Sequence, residues 1–418
     1  MQQHELDTVE TADGLVTLGN PVTHWAVRAT KPVSYEIRVS DDLFALDNTT
    51  LLEDVVPGTG SPRRVVVIDA VVDELYGRRI RKYLDHHGVI HRICTLDSGE
   101  TAKDLSNALR VVDTLDEFGI DRRREPVIAI GGGVLMDMVG FVCSAYRRAT
   151  PYIRVPTTLI GLVDAGVGVK TGLNNNGHKN RLGSYFPAAR TLLDRTFLTT
   201  LDTRHISNGL AEILKIGLIK DVALFELLEE HAETLLTGKL QRSAGAADDV
   251  LGQTTVEHRL SLGHQDLEPA TEVLERAISG MLEELQPNLW EEVLERVVDY
   301  GHTFSPTVEM HALPALLHGE AVAVDMALTT VLAQRRGLVD ITQQRRILRL
   351  MERLNLPTWH ELLTPEVLVP ALQDTVRHRD GQQRLPLPIG IGAAVFVNNV
   401  SEAELIEAAS ALAAEATR

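Results

Sequence analysis

The sequence predicts a two-part fold, a parallel α/β domain followed by a mainly α-helical one, and three observations carry that expectation. Continuous β-branched runs such as Arg64-Val-Val-Val-Ile-Asp69 and Pro126-Val-Ile-Ala-Ile130 read as strands buried on both faces. Amphipathic stretches of helical length separate them, and strand–helix alternation of this kind builds a parallel sheet. From about Asp202 onward helical periodicity dominates. The expected division is a polar N-terminal tail over 1–24, an α/β domain over 25–201 and a mainly helical domain over 202–418.

In chain order, Trp25 to Val39 alternates in the manner of strands. After the Arg64 strand comes a charged helix from roughly Asp73 to His87, a strand Val89–Cys94 and a helix Ala102–Phe118. The Pro126 strand runs straight into Gly131-Gly132-Gly133, and Val134 to Tyr146 reads as the helix that follows. In the second half helices are expected over Leu210–His231, Thr271–Leu285, Trp290–Val298, Ala321–Arg336 and Thr342–Leu354. Leu385 to Val397 reads as short extended structure, and Ser401-Glu-Ala-Glu404 opens a last helix with a capping box.

Composition narrows the function. A net charge of −17 argues against nucleic acid, whose phosphates need clustered Lys and Arg, but leaves room for a locally basic pocket. The two cysteines, Cys94 and Cys143, sit in apolar surroundings and suit a reducing compartment. The acidic start of the chain has no apolar signal core, and no apolar run approaches the ~20 residues of a bilayer span. The expectation is a cytoplasmic protein without nucleic-acid or membrane partners.

Three stretches carry the chemistry. Gly131 to Gly133 form a strand-to-helix turn, where backbone N–H groups and a helix N-terminus can meet a phosphate-bearing cofactor; a merely tight turn is the plain alternative. Asp69, at a strand end, is placed to accept from a ribose hydroxyl, and Glu100 and Lys103 put an acid and a base one helical turn apart. Pro156-Thr157-Thr158, Asp164, Lys170-Thr171 and His178-Lys179-Asn180, with Arg148, supply hydroxyls and cations for an anion pocket, or else a solvated loop. Glu212 lies in so apolar a helix that it needs a partner. Lys215 is the simple one. Metal ligation together with His302 and His318 is the other, since one carboxylate and two imidazoles leave open positions for chemistry.

Taken together these motifs resemble the sugar phosphate cyclase superfamily, the group of 3-dehydroquinate synthase. The likeness runs from about Val65 to Gly392 and rests on Gly131-Gly-Gly-Val-x-x-Asp137, Val155-Pro-Thr-Thr-Leu159, Val163-Asp164, Lys170-Thr171, Lys179-Asn180, Asn208-Gly-Leu-Ala-Glu-x-x-Lys215, Gly301-His302 and Leu317-His-Gly-Glu320. It implies a dehydroquinate synthase-like fold with an NAD-binding α/β domain and a helical metal- and substrate-binding domain. It also implies a homodimer and one divalent ion, zinc or cobalt, held by Glu212, His302 and His318. The residues implied at the cofactor are Asp69, Glu100, Lys103, Gly132, Gly133, Val134, Asp137, Thr157, Thr158, Lys179 and Asn208. Those implied at the substrate are Lys215, Asp164, Lys170, Asn180, Arg148, Glu295, Asp299 and His378, with Lys170, Asn180, Arg148 and His378 on its phosphate.

Departures from dehydroquinate synthase refine the expectation. Where that enzyme has Arg-x-x-x-Asn-x-Gly-His-x-x-x-His, this chain has Glu295, Asp299, Gly301, His302 and Pro306, and an upstream lysine falls at Met281. Loss of cations suits neutral hydroxyls better than a carboxylate. The run Asp299-Tyr-Gly-His-Thr-Phe-Ser-Pro306 and the segment from His378 to Pro388 are similar to the sedoheptulose 7-phosphate cyclases, most of all the 2-epi-5-epi-valiolone synthase group. The 2-epi-valiolone and desmethyl-4-deoxygadusol synthases are its sister groups. The implied reaction is cyclisation of the sugar phosphate to a C7 cyclitol by transient oxidation, β-elimination of phosphate, re-reduction and aldol closure. A dehydroquinate synthase proper and an NAD- and metal-dependent polyol dehydrogenase are the other readings.

Overall fold

A computed structural model describes residues 14–18, 24–53, 62–97, 99–242 and 267–416. The chain forms two compact units divided between Tyr35 and Glu36. The first contains an antiparallel pair, β1 (Gly14–Leu18) and β2 (His24–Arg28). A strand therefore lies where a polar tail is expected, and Trp25 to Val39 is divided between two units.

The second unit opens with β3 (Glu36–Val39), β4 (Arg63–Asp69), α1 (Ala70–His86), β5 (Ile90–Leu96), α2 (Leu105–Phe118), β6 (Val127–Gly131), α3 (Gly133–Ala145) and β7 (Tyr152–Pro156). A hairpin of β8 (Lys170–Asn175) and β9 (His178–Tyr185) follows, then β10 (Arg190–Leu193). Six strands form one parallel sheet in the order β3-β10-β7-β6-β4-β5. Its central strands are sealed on both faces: Val65, Val67 and Ala129 enter one apolar cluster, while Val66, Ile68 and Ile130 enter another. That explains the absence of alternation in their sequences. Each parallel crossover returns the chain so that the strand C-termini share one edge, where β6 delivers Gly131.

The helical part comprises α4 (Thr203–Ile219), α5 (Val222–Thr237), α6 (Pro269–Leu285), α7 (Ser305–Ala312), α8 (His318–Arg335), α9 (Ile341–Arg353), α10 (Pro365–His378) and α11 (Glu402–Ala416), with the β11 (Leu385–Pro388) and β12 (Ala394–Val397) pair before α11. Two expectations fail here. The Leu210–His231 stretch is two helices, because Asp221 accepts from Leu224 N and caps a new start. The Trp290–Val298 stretch is a loop: Asn288 bonds Val293 N and O, and Glu291 takes a left-handed φ of 56°. The Ser401–Glu404 capping box is present in both directions. No helix among the described residues is long and apolar enough to cross a membrane.

α4 and α8 are the buried pair around which this part is built. Every α4 residue from Ile206 to Ile219 and every α8 residue from Gly319 to Ala333 is buried. A helix apolar on all sides lies at a domain's centre, so polar groups on it are costly unless partnered. Glu212 lies on the first of these helices and His318 at the head of the second.

Candidate active site

A cavity of about 500 Å³ opens where the strand C-termini of the sheet meet α4, α6 and α8. Gly132, Gly133, Val134, Asp137 and Thr158 line one end of it, and Asn208, Lys215, His302 and His318 the other.

At the first end the α3 N-terminus has no side-chain cap, so its N–H groups remain available to an anion. Gly132 keeps the turn open, since a Cβ there would lie a tight 3.2 Å from Thr158 Cγ2. Lys103, 2% exposed, donates to Asp137 Oδ2 and Asn180 Oδ1, both at 2.6 Å. Burial works against that ammonium, but Asp137 and Glu100 outweigh it and raise its pKa. Asn174 ties the hairpin to the same segment through the Glu100 side chain at 2.7 Å. Uncapped helix start, glycine turn and acidic Glu100 together fit a dinucleotide.

At the other end Glu212 Oε1 stands 3.6 Å from Nε2 of both His302 and His318. One donor atom from each of the three lies within 4.8 Å of the others. Lys215 Nζ is 2.6 Å from Glu212 Oε2, yet neither buried oxygen of Glu212 has a hydrogen-bond partner of proper geometry among the described residues. A buried carboxylate so placed, facing two imidazole Nε2 atoms, fits a divalent cation. Both rings are oriented from behind: His302 Nδ1 is 3.0 Å from Tyr300 O, and His318 Nδ1 is 2.8 Å from Glu309 Oε2. Burial, then Lys215 and His318, push the His302 pKa down, which keeps the ring neutral as ligation requires. Gly301 at φ 75° makes the turn that brings His302 inward, with Val322 and Met326 too close for a side chain.

The expected residues divide in their placement. Glu100, Lys103, Gly132, Gly133, Val134, Asp137, Thr158, Asp164, Lys170, Lys179, Asn180, Asn208, Lys215, Asp299, His302 and His318 all line the cavity. Asp164 sits on a wide helical turn, Gly161–Ala165, closed by Gly166 N to Gly161 O. Asp69 instead caps α1, accepting from Val71 N and Val72 N, and Thr157 is buried behind the glycine turn with its N–H on Gly131 O. Asn208 faces the cavity, but its side-chain oxygen is taken by Gly319 N at 2.6 Å.

Three further expected residues, besides Asp69 and Thr157, lie outside the cavity of this chain. Arg148 is exposed beyond the far end of α3, a helix that carries it about 20 Å from the glycine turn. Glu295 is turned outward, 44% exposed and 3.9 Å from Arg384. His378, 59% exposed, reaches Arg181 and Asp374 among the described residues. In the last two motifs the inward residue is the next one along. Arg296 pairs with Asp299 at 3.0 Å and with Glu291 at 2.5 Å, and Arg379 meets Asp299 at 3.4 Å. Asp299 is thus no bare anion. Burial would raise its pKa, but Arg296, Lys170 and Arg379 prevail and lower it.

The sequence reading missed Glu309, Glu291, Arg296, Arg379 and Asp325. The last, 1% exposed, accepts from Phe304 N at 2.6 Å and Ser305 N at 2.9 Å and so anchors the loop after His302. Burial pushes its carboxyl up to about 6. An apolar-run signal marks only Asp325 in advance, because it stands among Val324 and Met326 of a fully buried helix, as Glu212 does in α4.

Family sequence models match in two adjacent blocks, 3-dehydroquinate synthase N-terminal over residues 93–208 and 3-dehydroquinate synthase C-terminal over 209–377. A 2-epi-5-epi-valiolone synthase from an Actinoplanes species is 61% identical over 385 residues, 92% of each chain. One from Streptomyces albus is also 61% identical, over 94% of this chain and 90% of its own. Among solved structures, the 2-epi-5-epi-valiolone synthase of Streptomyces hygroscopicus subsp. jinggangensis, with NAD+ and Zn2+ bound, superposes with a TM-score of 0.84 at 49% identity, covering 94% of this chain and all of that one.

Proposed function

The chain belongs to the 3-dehydroquinate synthase family of sugar phosphate cyclases, and we propose that it converts sedoheptulose 7-phosphate to 2-epi-5-epi-valiolone with release of phosphate. The observation that carries this reading is the union, in one cavity, of an uncapped glycine turn and the Glu212–His302–His318 trio, in a chain 61% identical to enzymes of that name.

When bound, NAD+ provides a hydride acceptor that is regenerated, and a divalent zinc or cobalt ion provides a Lewis acid beside the substrate hydroxyls. The reaction oxidises one carbinol, eliminates phosphate β to the new carbonyl, returns the hydride and closes the ring by aldol addition. Gly132, Gly133 and the α3 N-terminus would hold the dinucleotide pyrophosphate, with Glu100 also lining the cavity. Glu212 and the Nε2 atoms of His302 and His318 would hold the cation. Lys215 and Asp164 line the cavity nearby and orient hydroxyls, while Lys170 and Asn180 receive the phosphate. Asp299, fixed by Arg296 and Arg379, accepts from a hydroxyl. Arg148 and His378 are given no role within the cavity of one chain. The same family reading supports a cytoplasmic homodimer, which light scattering on the pure protein tests.

The deciding assay incubates the protein with sedoheptulose 7-phosphate, NAD+ and Zn2+ or Co2+ and identifies the cyclitol by NMR. 2-epi-5-epi-valiolone is the expected product. The 2-epi-valiolone epimer or desmethyl-4-deoxygadusol would overturn the assignment within the family.

A further inference from the structure

Glu309 belongs neither to the ligand trio nor to the glycine turn, yet it is 2% exposed and both of its oxygens are engaged. Carried on α7, it receives Lys179 Nζ at 2.8 Å on Oε1 and 2.6 Å on Oε2, and its Oε2 lies 2.8 Å from His318 Nδ1. Lys179 Nζ itself lies 3.0 Å from the same Nδ1. One ring nitrogen therefore faces a group that can only accept and a group that can only donate.

A neutral imidazole carries one N–H and one lone pair, so Nδ1 satisfies one neighbour at a time. With the proton on Nδ1 it donates to Glu309, and the Nε2 lone pair faces Glu212 Oε1, 3.6 Å away, as a metal ligand must. With the proton on Nε2, Nδ1 accepts from Lys179, and an N–H points into the trio where a cation would sit. His302 has no such choice, because among the described residues its Nδ1 meets only the Tyr300 carbonyl, an acceptor.

We infer that Glu309 is a positioning residue that selects the ligating tautomer of His318, and that Lys179 favours the opposite tautomer. The inference rests on Glu212, His302 and His318 being the metal ligands. It gives the two halves of one ion pair opposite effects on metal binding, which a salt bridge that merely holds the fold does not. It also links the β8–β9 hairpin, whose next residue Asn180 meets Lys103 at the cofactor end of the cavity, to the state of the metal site.

The test measures Zn2+ and Co2+ affinity of the metal-free protein by chelator competition, with the Co2+ absorption spectrum reporting ligand geometry. In Glu309→Gln a single carbonyl oxygen remains, which the Lys179 ammonium takes, leaving the amide N–H2 toward Nδ1. Metal affinity should fall about 10- to 100-fold, the usual loss when a carboxylate behind a ligating histidine is removed. In Lys179→Met Glu309 keeps its acceptor role without competition, so affinity should hold or tighten even as turnover falls. Imidazole 15N shifts of the metal-free chain should place the His318 proton on Nδ1 in the wild type and on Nε2 in Glu309→Gln. Thermal melts of the metal-free proteins separate these effects from misfolding, and the opposite-sign Lys179→Met result stands even if Glu309→Gln fails to fold. Equal losses in the two variants, or wild-type affinity in Glu309→Gln, overturn the inference alone. A wild-type chain that binds no cation at the trio overturns the ligand reading beneath it.

Discussion

The side-chain oxygen of Asn208 accepts a hydrogen bond from Gly319 N at 2.6 Å, and this bond joins the two helices that carry Glu212 and His318. Asn208 lies one turn before Glu212, and Gly319 directly follows His318, so the bond sets the separation of two metal ligands. There is no room to change it: a Cβ on Gly319 would stand 1.9 Å from the Asn208 carbonyl oxygen. Gly319→Ala should therefore push α8 away from α4, costing about 3 kcal/mol by overpacking and most of the bound metal. Asn208→Ala strands a buried N–H, at about 1–3 kcal/mol. Denaturant unfolding of the metal-free proteins and metal analysis check both. Wild-type metal content and midpoint in Gly319→Ala would refute the clamp.

Removal of the cation should abolish turnover without unfolding the chain, because the trio sits on helices whose cores are apolar and complete without it. Chelation followed by Zn2+ or Co2+ should restore activity. Glu212→Ala, His302→Ala and His318→Ala should each lose the ion, leaving less than one per chain. Retention of one ion per chain in both histidine variants would show that the ligands lie elsewhere.

Cofactor use provides an independent check. The proposed elimination needs a transient carbonyl and the product needs the hydride back, so NAD+ far below substrate concentration should sustain many turnovers. Absorbance from NADH should not accumulate. A stoichiometric rise would instead indicate a polyol dehydrogenase.

Asp299 links acidity to stability. Its carboxyl is held below the usual range by Arg296, Lys170 and Arg379 against the opposing effect of burial. A depressed carboxyl contributes stability above its unfolded pKa of about 3.9, and that contribution is lost as pH falls through the folded value. Asp299→Asn removes the carboxylate that Arg296 and Arg379 share, but Arg296 keeps Glu291, so the loss is about 1–3 kcal/mol. The gap between wild type and Asp299→Asn should be constant above about pH 5 and close on further acidification. Unfolding curves at several pH values measure it; a gap that widens in acid contradicts the pairing.

What the sequence made legible followed from local rules, and what it hid depended on side-chain direction. Buried parallel strands, the glycine turn and the stranded carboxylate in α4 are each readable from a few neighbours, because β-branched runs, Gly-Gly-Gly and a lone Glu in an apolar helix have few solutions. Glu295 and His378 show the limit. Glu295 stands in a loop, where no 3.6-residue period dictates which side chain turns inward, and Arg296 lines the cavity instead; His378 ends α10, and it is Arg379 at the C-cap that meets Asp299. Glu309 was hidden for another reason: its partners Lys179 and His318 come from distant parts of the chain, and no spacing rule unites them.

Substrate charge is the last consequence, and it now rests on different residues from those the sequence suggested. Lys170, 56% exposed, is the cation proposed to take the substrate phosphate, and the less exposed cations of the cavity already have carboxylates: Lys103 with Asp137, Lys179 with Glu309, Lys215 with Glu212 and Arg296 with Asp299. Met281, 3% exposed, supplies an apolar surface where the related synthase has a lysine. With Lys170 committed to the phosphate, a substrate carboxylate entering here finds no spare cation among the described residues, and a mispaired interior charge costs several kcal/mol. Sedoheptulose 7-phosphate should be turned over, and the carboxylate-bearing substrate of dehydroquinate synthase disfavoured by at least roughly a hundredfold in kcat/KM, about 3 kcal/mol. Met281→Lys should narrow that gap by adding an unpaired cation. Glu295→Arg should not, since the side chain points to solvent and Arg384. Selectivity that shifts with Glu295→Arg but not with Met281→Lys would return discrimination to the outward residue and sink the paired-cation account.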